Sequence, residues 1–293
     1  MKDELNNCKL CPKNCEVNRN NGNVGFCKIG NKIKVALAYL HMWEEPCLSG
    51  DAGSGTIFFS GCNLACIYCQ NYKISNNQKG EEITIRQFSD MCLDLERKKA
   101  NNINLVTPTA YVPLIIEGLT LAKANGLNIP IVYNTSSYEN VDTIKMLNGL
   151  VDIYLPDLKY YEDDIAFKYS KCNDYFKYVK DAIDEMYKQV GKPVFDDNGI
   201  MKKGIIIRHL VLPDELENSK KILKYLYDKY QNNIYYSIMS QYTPVKKLKY
   251  ENLNRKLTKE EYDEIINYAI DLGIENAYIQ DLDAALESFI PNF

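Results

Sequence analysis

The sequence predicts an α/β fold in which a parallel sheet, with helices outside it, closes only part of a barrel. Three observations carry this. Six short runs rich in Ile, Val and Tyr recur along the chain, at residues 56–60, 103–106, 129–133, 151–155, 204–212 and 235–239. Each is bounded by turn residues and reads as a buried strand. A longer amphipathic stretch separates each run from the next, and strand–helix alternation is the pattern of a parallel sheet. A closed barrel of this kind takes eight such units, so six leave it open or partial.

The helical stretches follow in order. Residues 85–99 come after Thr84, a capping residue type. Residues 113–124 open on Pro113 and stop before Gly126. Residues 138–147, 165–189, 215–229 and 258–272 complete the set. Up to about residue 48 the chain reads as irregular, and Asn, Lys and Gly dominate residues 16–32. The expected organisation is a cysteine-rich metal-binding segment at 1–50 followed by the barrel at 51–293. Ligands are expected at the C-terminal ends of the strands.

The 293 residues are 46% hydrophobic and 25% charged, which suits a globular protein with a sizeable core. A net charge of −4 argues against a nucleic-acid partner. The opening MKDELNNCKLCPKNC lacks the apolar stretch of a secretory signal. No apolar run is long enough to span a membrane. A cytoplasmic protein with neither membrane nor nucleic-acid partner is expected. In that compartment the ten cysteines are expected as metal ligands or catalytic groups before disulfides.

Seven of them fall into two clusters. The first strand runs straight into Gly61-Cys62-Asn63-Leu64-Ala65-Cys66-Ile67-Tyr68-Cys69-Gln70-Asn71. The spacing C-x3-C-x2-C puts three thiolates on one compact loop, a ligand set for three irons of a cubane cluster. The fourth iron then keeps an open position, the mark of a metal centre that does chemistry. Zinc fits less well, because no histidine completes the set. The second cluster, Cys8-x2-Cys11-x3-Cys15-x11-Cys27, is a complete four-ligand set. All-thiolate coordination suits structural zinc and a second iron–sulfur cluster alike. A short polar segment of this kind needs such a staple.

C-x3-C-x2-C after a first strand, with the aromatic Tyr68 before the last cysteine, resembles the signature of the radical SAM superfamily. Over nearly the whole chain the sequence also resembles the PflX-like group, homologues of pyruvate formate-lyase activating enzymes. The matching stretches are CKLCPKNCEVNR, GSGTIFFSGCNLACIYCQN, NINLVTPT, VDIYLPDLKY, IRHLVLP and SQYTP. The resemblance implies a partial (β/α)6 barrel and a [4Fe–4S] cluster at Cys62, Cys66 and Cys69. It further implies an iron–sulfur oxidoreductase that cleaves S-adenosylmethionine (SAM) to a 5′-deoxyadenosyl radical and abstracts hydrogen from a substrate. A glycyl residue of a partner enzyme is one such substrate, and a small molecule or peptide is equally open. An electron donor such as flavodoxin or ferredoxin is expected with it. The alternative of another class is a non-catalytic metalloprotein whose two structural metal sites support a binding module.

Candidate SAM contacts are read from the strand ends. Many radical SAM enzymes carry a Gly-Gly-Glu element after the second strand, where this chain has Thr107-Pro108-Thr109. Thr107 and Thr109 offer hydroxyl or backbone partners, or simply cap a helix. Asn134 and Ser136, after the third strand, suit a ribose or a helix cap. After the fourth strand, alternation puts Asp157 and Lys159 on one side of the chain. By resemblance, such an Asp-x-Lys element lies beside SAM, as does Arg208. Asn71 and Gln241 complete the cofactor-binding set. His209 reads as structural, Cys92 and Cys172 as packing residues, and Cys47 as an individual variation in the polar stretch 41–47.

Overall fold

The computed structural model describes residues 3–76 and 79–280. Its strands are β1 (Ile33–His41), β2 (Ser54–Phe59), β3 (Glu81–Ile83), β4 (Ile103–Val106), β5 (Ile131–Thr135), β6 (Ile153–Pro156), β7 (Val194–Phe195), β8 (Met201–Leu210), β9 (Tyr235–Met239) and β10 (Ala277–Ile279). The sheet order is β10-β9-β8-β6-β5-β4-β2-β1-β3, with β7 pairing on β8. From β2 to β10 the neighbours are parallel, while β1 and β3 are antiparallel additions at one edge. All six strands read from the sequence are present, and the architecture is the expected mixed α/β partial barrel. β10 adds a parallel strand at the far edge that the sequence reading lacked.

The helices are α1 (Pro46–Ser49), α2 (Tyr72–Ser75), α3 (Ile85–Arg97), α4 (Val112–Ala124), α5 (Val141–Lys145), α6 (Asp163–Ser170), α7 (Tyr175–Val190), α8 (Leu216–Tyr230) and α9 (Lys259–Leu272). α3 and α9 start on capping boxes, Thr84 with Gln87 and Thr258 with Glu261. The single helix expected over 165–189 is two. The chain leaves α6 at Lys171 (φ 52°) and enters α7 from Asp174 (φ 54°), both in the left-handed region. The carbonyls of Tyr169 and Ser170, at the end of α6, instead accept Ile67 N–H at 2.9 Å and Ala65 N–H at 3.2 Å. The break therefore lends its carbonyls to the three-cysteine loop. The helix expected at 138–147 shrinks to α5, because Ser137 is left-handed (φ 63°) and Glu139 is buried. The stretch expected to be irregular up to residue 48 contains β1.

Alternate strand residues face opposite ways. Ile103, Leu105, Ile131, Tyr133, Tyr154, Ile205 and Ile207 belong to the large core under the helices. Val132, Ile153, Leu155 and Ile206 face inward and form a separate core with Cys47 and Leu48 of α1. α1 is thus a plug in the open barrel, entered from the N-terminal end of β2, where His41 pairs with Ser54. Asn101 and Asn102 hold it by donating to the carbonyls of Ser49 (2.6 Å) and Leu48 (2.9 Å).

Candidate active site

The loop after β2 brings Cys62, Cys66 and Cys69 to the wall of a cavity of about 910 Å³. That is the upper end of the roughly 300–1,000 Å³ typical of small-molecule sites. Gly61 turns the chain into the loop at φ 76°. Beyond the two bonds from α6, Asn63 fixes the loop by donating to Tyr138 O at 2.6 Å. Leu64 N–H donates to Cys62 Sγ at 3.4 Å, and Ser170 Oγ–H to Cys66 Sγ at 2.9 Å. Ser170 has one proton to give. So Tyr160 OH donates to Ser170 Oγ (2.6 Å), and Tyr68 OH to Tyr160 OH (2.5 Å). Burial raises the Cys62 thiol and pushes Cys66 to about 11 even though Lys159 pulls it down. Burial thus favours the protonated thiol at Cys62 and Cys66, and a bound cation favours the thiolate.

The sequence-read polar residues divide by direction. Asn71, Thr107, Asn134, Ser136, Asp157, Lys159, Arg208 and Gln241 line the cavity. Thr109 does not: its hydroxyl donates to buried Glu139 Oε1 at 2.7 Å, behind the sheet. The left-handed backbone at Thr107 (φ 61°) and the short helix from Thr109 to Tyr111 turn it away. Tyr133 and Thr135 hydroxyls donate to the same Glu139 oxygen, at 3.2 and 2.6 Å. His209 lies outside the cavity lining too. It is buried between Leu158 O and Ser219 Oγ, each 2.8 Å away, and burial depresses it to about 4.

Inward-facing charges form one network. Lys159 Nζ lies 2.6 Å from Asp157 Oδ2, and Arg208 Nε 2.8 Å from Asp157 Oδ1. Burial alone would raise Asp157, but Arg208 and Lys159 outweigh it and hold the carboxyl below its ordinary range. Arg208 Nη2 donates to Asn134 Oδ1 at 2.6 Å, and Nη1 meets Glu44 Oε1 at 3.1 Å. Glu44 Oε2 accepts from Asn104 (2.6 Å) and Asn134 (3.3 Å). Glu44, Glu45 and Asn104 were missed by the reading from strand ends. Glu44 and Glu45 come from the plug side and Asn104 from β4, where an asparagine inside the apolar run 103–106 was the available signal.

The four N-terminal cysteines gather elsewhere, around a void of about 20 Å³ also bordered by Arg19, Gly25, Asn63 and Thr109. Backbone N–H groups of Lys13, Phe26 and Ile29 serve the sulfurs of Cys11, Cys15 and Cys27. Arg19 is buried; it donates to Gly30 O and Ala110 O and reaches Cys8 Sγ at 3.9 Å. The Sγ atoms of neither set converge fully: among the described residues no three His, Cys, Asp or Glu side chains are placed to hold an ion.

The radical SAM superfamily model matches residues 56–226. The chain belongs to the radical SAM superfamily. It is 31% identical over 289 residues to an uncharacterised protein of Methanocaldococcus jannaschii, covering 94% of this chain and 78% of that one. A second protein of that organism, provisionally named a glycyl-radical enzyme activating enzyme, is 28% identical over 130 residues, 44% of this chain and 52% of that one. Among solved structures, a radical SAM methyltransferase from Sphaerobacter thermophilus superposes with a TM-score of 0.54 at 14% identity, over 78% of this chain and 68% of that one. A structure described as native anSMEcpe with bound AdoMet gives 0.50 at 18% identity, over 72% of this chain and 57% of that one. This chain therefore spans little more than half the length of that structure, and the likeness is one of fold. Radical SAM membership implies a [4Fe–4S] cluster and SAM. The three-thiol loop fits a cluster: its sulfurs face a large cavity and receive N–H and O–H donors. Among the described residues no helix is long and apolar enough to cross a membrane.

Proposed function

We propose that the protein is a radical SAM oxidoreductase whose cluster is held by Cys62, Cys66 and Cys69. The observation that carries this is the meeting of those thiols with Asp157, Lys159, Arg208, Asn134 and Ser136 around one cavity. When bound, the cluster supplies one electron to the sulfonium of SAM, giving methionine and a 5′-deoxyadenosyl radical that takes a hydrogen atom from the substrate. Lys159, held charged by Asp157, meets the SAM carboxylate. Asn134 and Ser136 serve its ribose, Thr107 and Asn71 offer further polar partners, and Gln241 faces the adenine or the substrate. The plug and the inner apolar layer keep bulk water from the reacting carbon.

The molecule that loses hydrogen is a glycyl residue of a partner enzyme, for which the name of one relative speaks, or equally a small molecule or peptide, with flavodoxin or ferredoxin as electron donor. The N-terminal set we read as a single zinc ion that staples the segment. Its void has room for one ion-sized body, where a cubane needs space for four irons and four sulfides. Arg19 and the N–H groups offset the charge of four thiolates.

The test is anaerobic purification with metal and sulfide analysis, then EPR of the dithionite-reduced protein with and without SAM. A [4Fe–4S]⁺ signal that shifts on adding SAM and disappears in the Cys62→Ala/Cys66→Ala/Cys69→Ala variant supports the reading. Zinc at both sites with no SAM effect overturns it and leaves a structural metalloprotein.

A further inference from the structure

The floor of the cavity holds an acceptor that the protein does not satisfy. Glu45 lines the cavity at 8% exposure, and its Oε2 has no hydrogen-bond partner among the described residues. Asn104 donates Nδ2 to Glu44 Oε2 at 2.6 Å and is itself fully buried. A buried acceptor without a donor is destabilising until a ligand supplies one.

The nearby cations are committed elsewhere. Arg208 spends Nε on Asp157, Nη1 on Glu44 and Nη2 on Asn134, and Lys159 is paired with Asp157. His41 adds no charge: burial pushes it below its ordinary value, and Nδ1 shares a hydrogen bond with Tyr39 OH at 2.9 Å. Burial and the adjacent Glu44 carboxylate raise Glu45 above the usual carboxylate range, against the pull of Arg208. What the floor lacks is a group with several donors and no acceptor, which describes an ammonium. Trp43 and Phe58 border the same cavity, and aromatic side chains favour organic cations.

We propose that Glu45 and Glu44 form a substrate subsite that takes the ammonium group of the molecule losing hydrogen. This rests on the radical SAM reading. SAM has an ammonium of its own, but the cysteine loop lies beyond the C-terminal end of β2, whereas the carboxyl pair enters beside its N-terminal end. A methionyl group held at the loop leaves the floor for a second molecule. A free amine, a lysine side chain or a peptide N-terminus presents the required chemistry.

The experiment titrates the anaerobic, SAM-loaded holoenzyme with butylammonium, butyrate and butanol at equal ionic strength, by calorimetry and by the emission of Trp43, the chain's one tryptophan. Saturable binding of butylammonium alone is expected. It should weaken at least tenfold in Glu45→Gln, be partly kept in Glu45→Asp, and leave the SAM-induced EPR change intact in both. Equal binding of butanol or butyrate, no heat and no emission change, or unaltered affinity in Glu45→Gln each overturn the subsite. Loss of the EPR change in Glu45→Gln overturns it too, by assigning Glu45 to SAM. Absence of any SAM response in the wild-type protein instead strikes the underlying reading, so the two failures are told apart.

Discussion

The two cysteine sets use the same ligand, on the short loop 62–69 and on the longer stretch 8–27, and differ in what encloses them. Cys62, Cys66 and Cys69 border about 910 Å³ of space, while Cys8, Cys11, Cys15 and Cys27 close on about 20 Å³. Three thiols beside a large cavity leave a coordination position that a reactant can reach. Four thiols around a small void leave none. Spacing says where metal binds; enclosure says whether the metal can react.

The sharpest break in that comparison comes from removing each set in turn. The Cys62/Cys66/Cys69→Ala triple variant should lose all SAM cleavage yet keep one zinc per chain and a near-native far-UV spectrum. Cys11→Ser/Cys27→Ser should do the opposite to stability. Structural zinc–thiolate sites bind with roughly 10 kcal/mol or more where folding depends on them. That variant, or chelation of the wild type, is therefore expected to lower the calorimetric transition steeply, and an unchanged transition would refute the staple.

A smaller effect tests the charge network beside the open set. Arg208→Met leaves Asp157 and Glu44 buried without their shared cation, which should cost about 3–5 kcal/mol. Urea unfolding should show it, with Arg208→Lys less affected. Smallest is Ser170→Ala, which removes the O–H donor to Cys66. A donor to a cluster sulfur favours the reduced, more negative state. One bond of about 1 kcal/mol corresponds to about 40 mV for one electron, so the midpoint in an EPR redox titration should fall by up to that amount. An unmoved midpoint would show that Ser170 only braces the loop.

Much of the barrel was legible because buried parallel strands read as continuous apolar runs. β10 was not, being three residues long and partly exposed. β1 hid because its residues past Val35 are only half-buried, which blurs the pattern. The break between α6 and α7 carries neither Gly nor Pro; Lys171 and Asp174 adopt left-handed backbone that their side chains do not announce. In the cavity, Asp157, Lys159, Asn134 and Arg208 were readable because they stand at or near parallel strand ends. Thr109 shares that position but turns outward to Glu139. Glu44 and Glu45 were unreadable by the same rule, since they enter from the opposite end on a plug whose docking only tertiary contacts reveal.

Gly61 carries a consequence for assembly. A Cβ there would sit 2.7 Å from the carbonyl oxygen of Cys27 and 2.6 Å from the side chain of Ile29. The loop that presents Cys62, Cys66 and Cys69 is moulded directly on the segment that ends the four-cysteine set. During synthesis that segment leaves the ribosome first. Filling the four-thiol set early would complete the surface against which the reactive loop then turns, and metal loading at the two sets would then follow the order of translation.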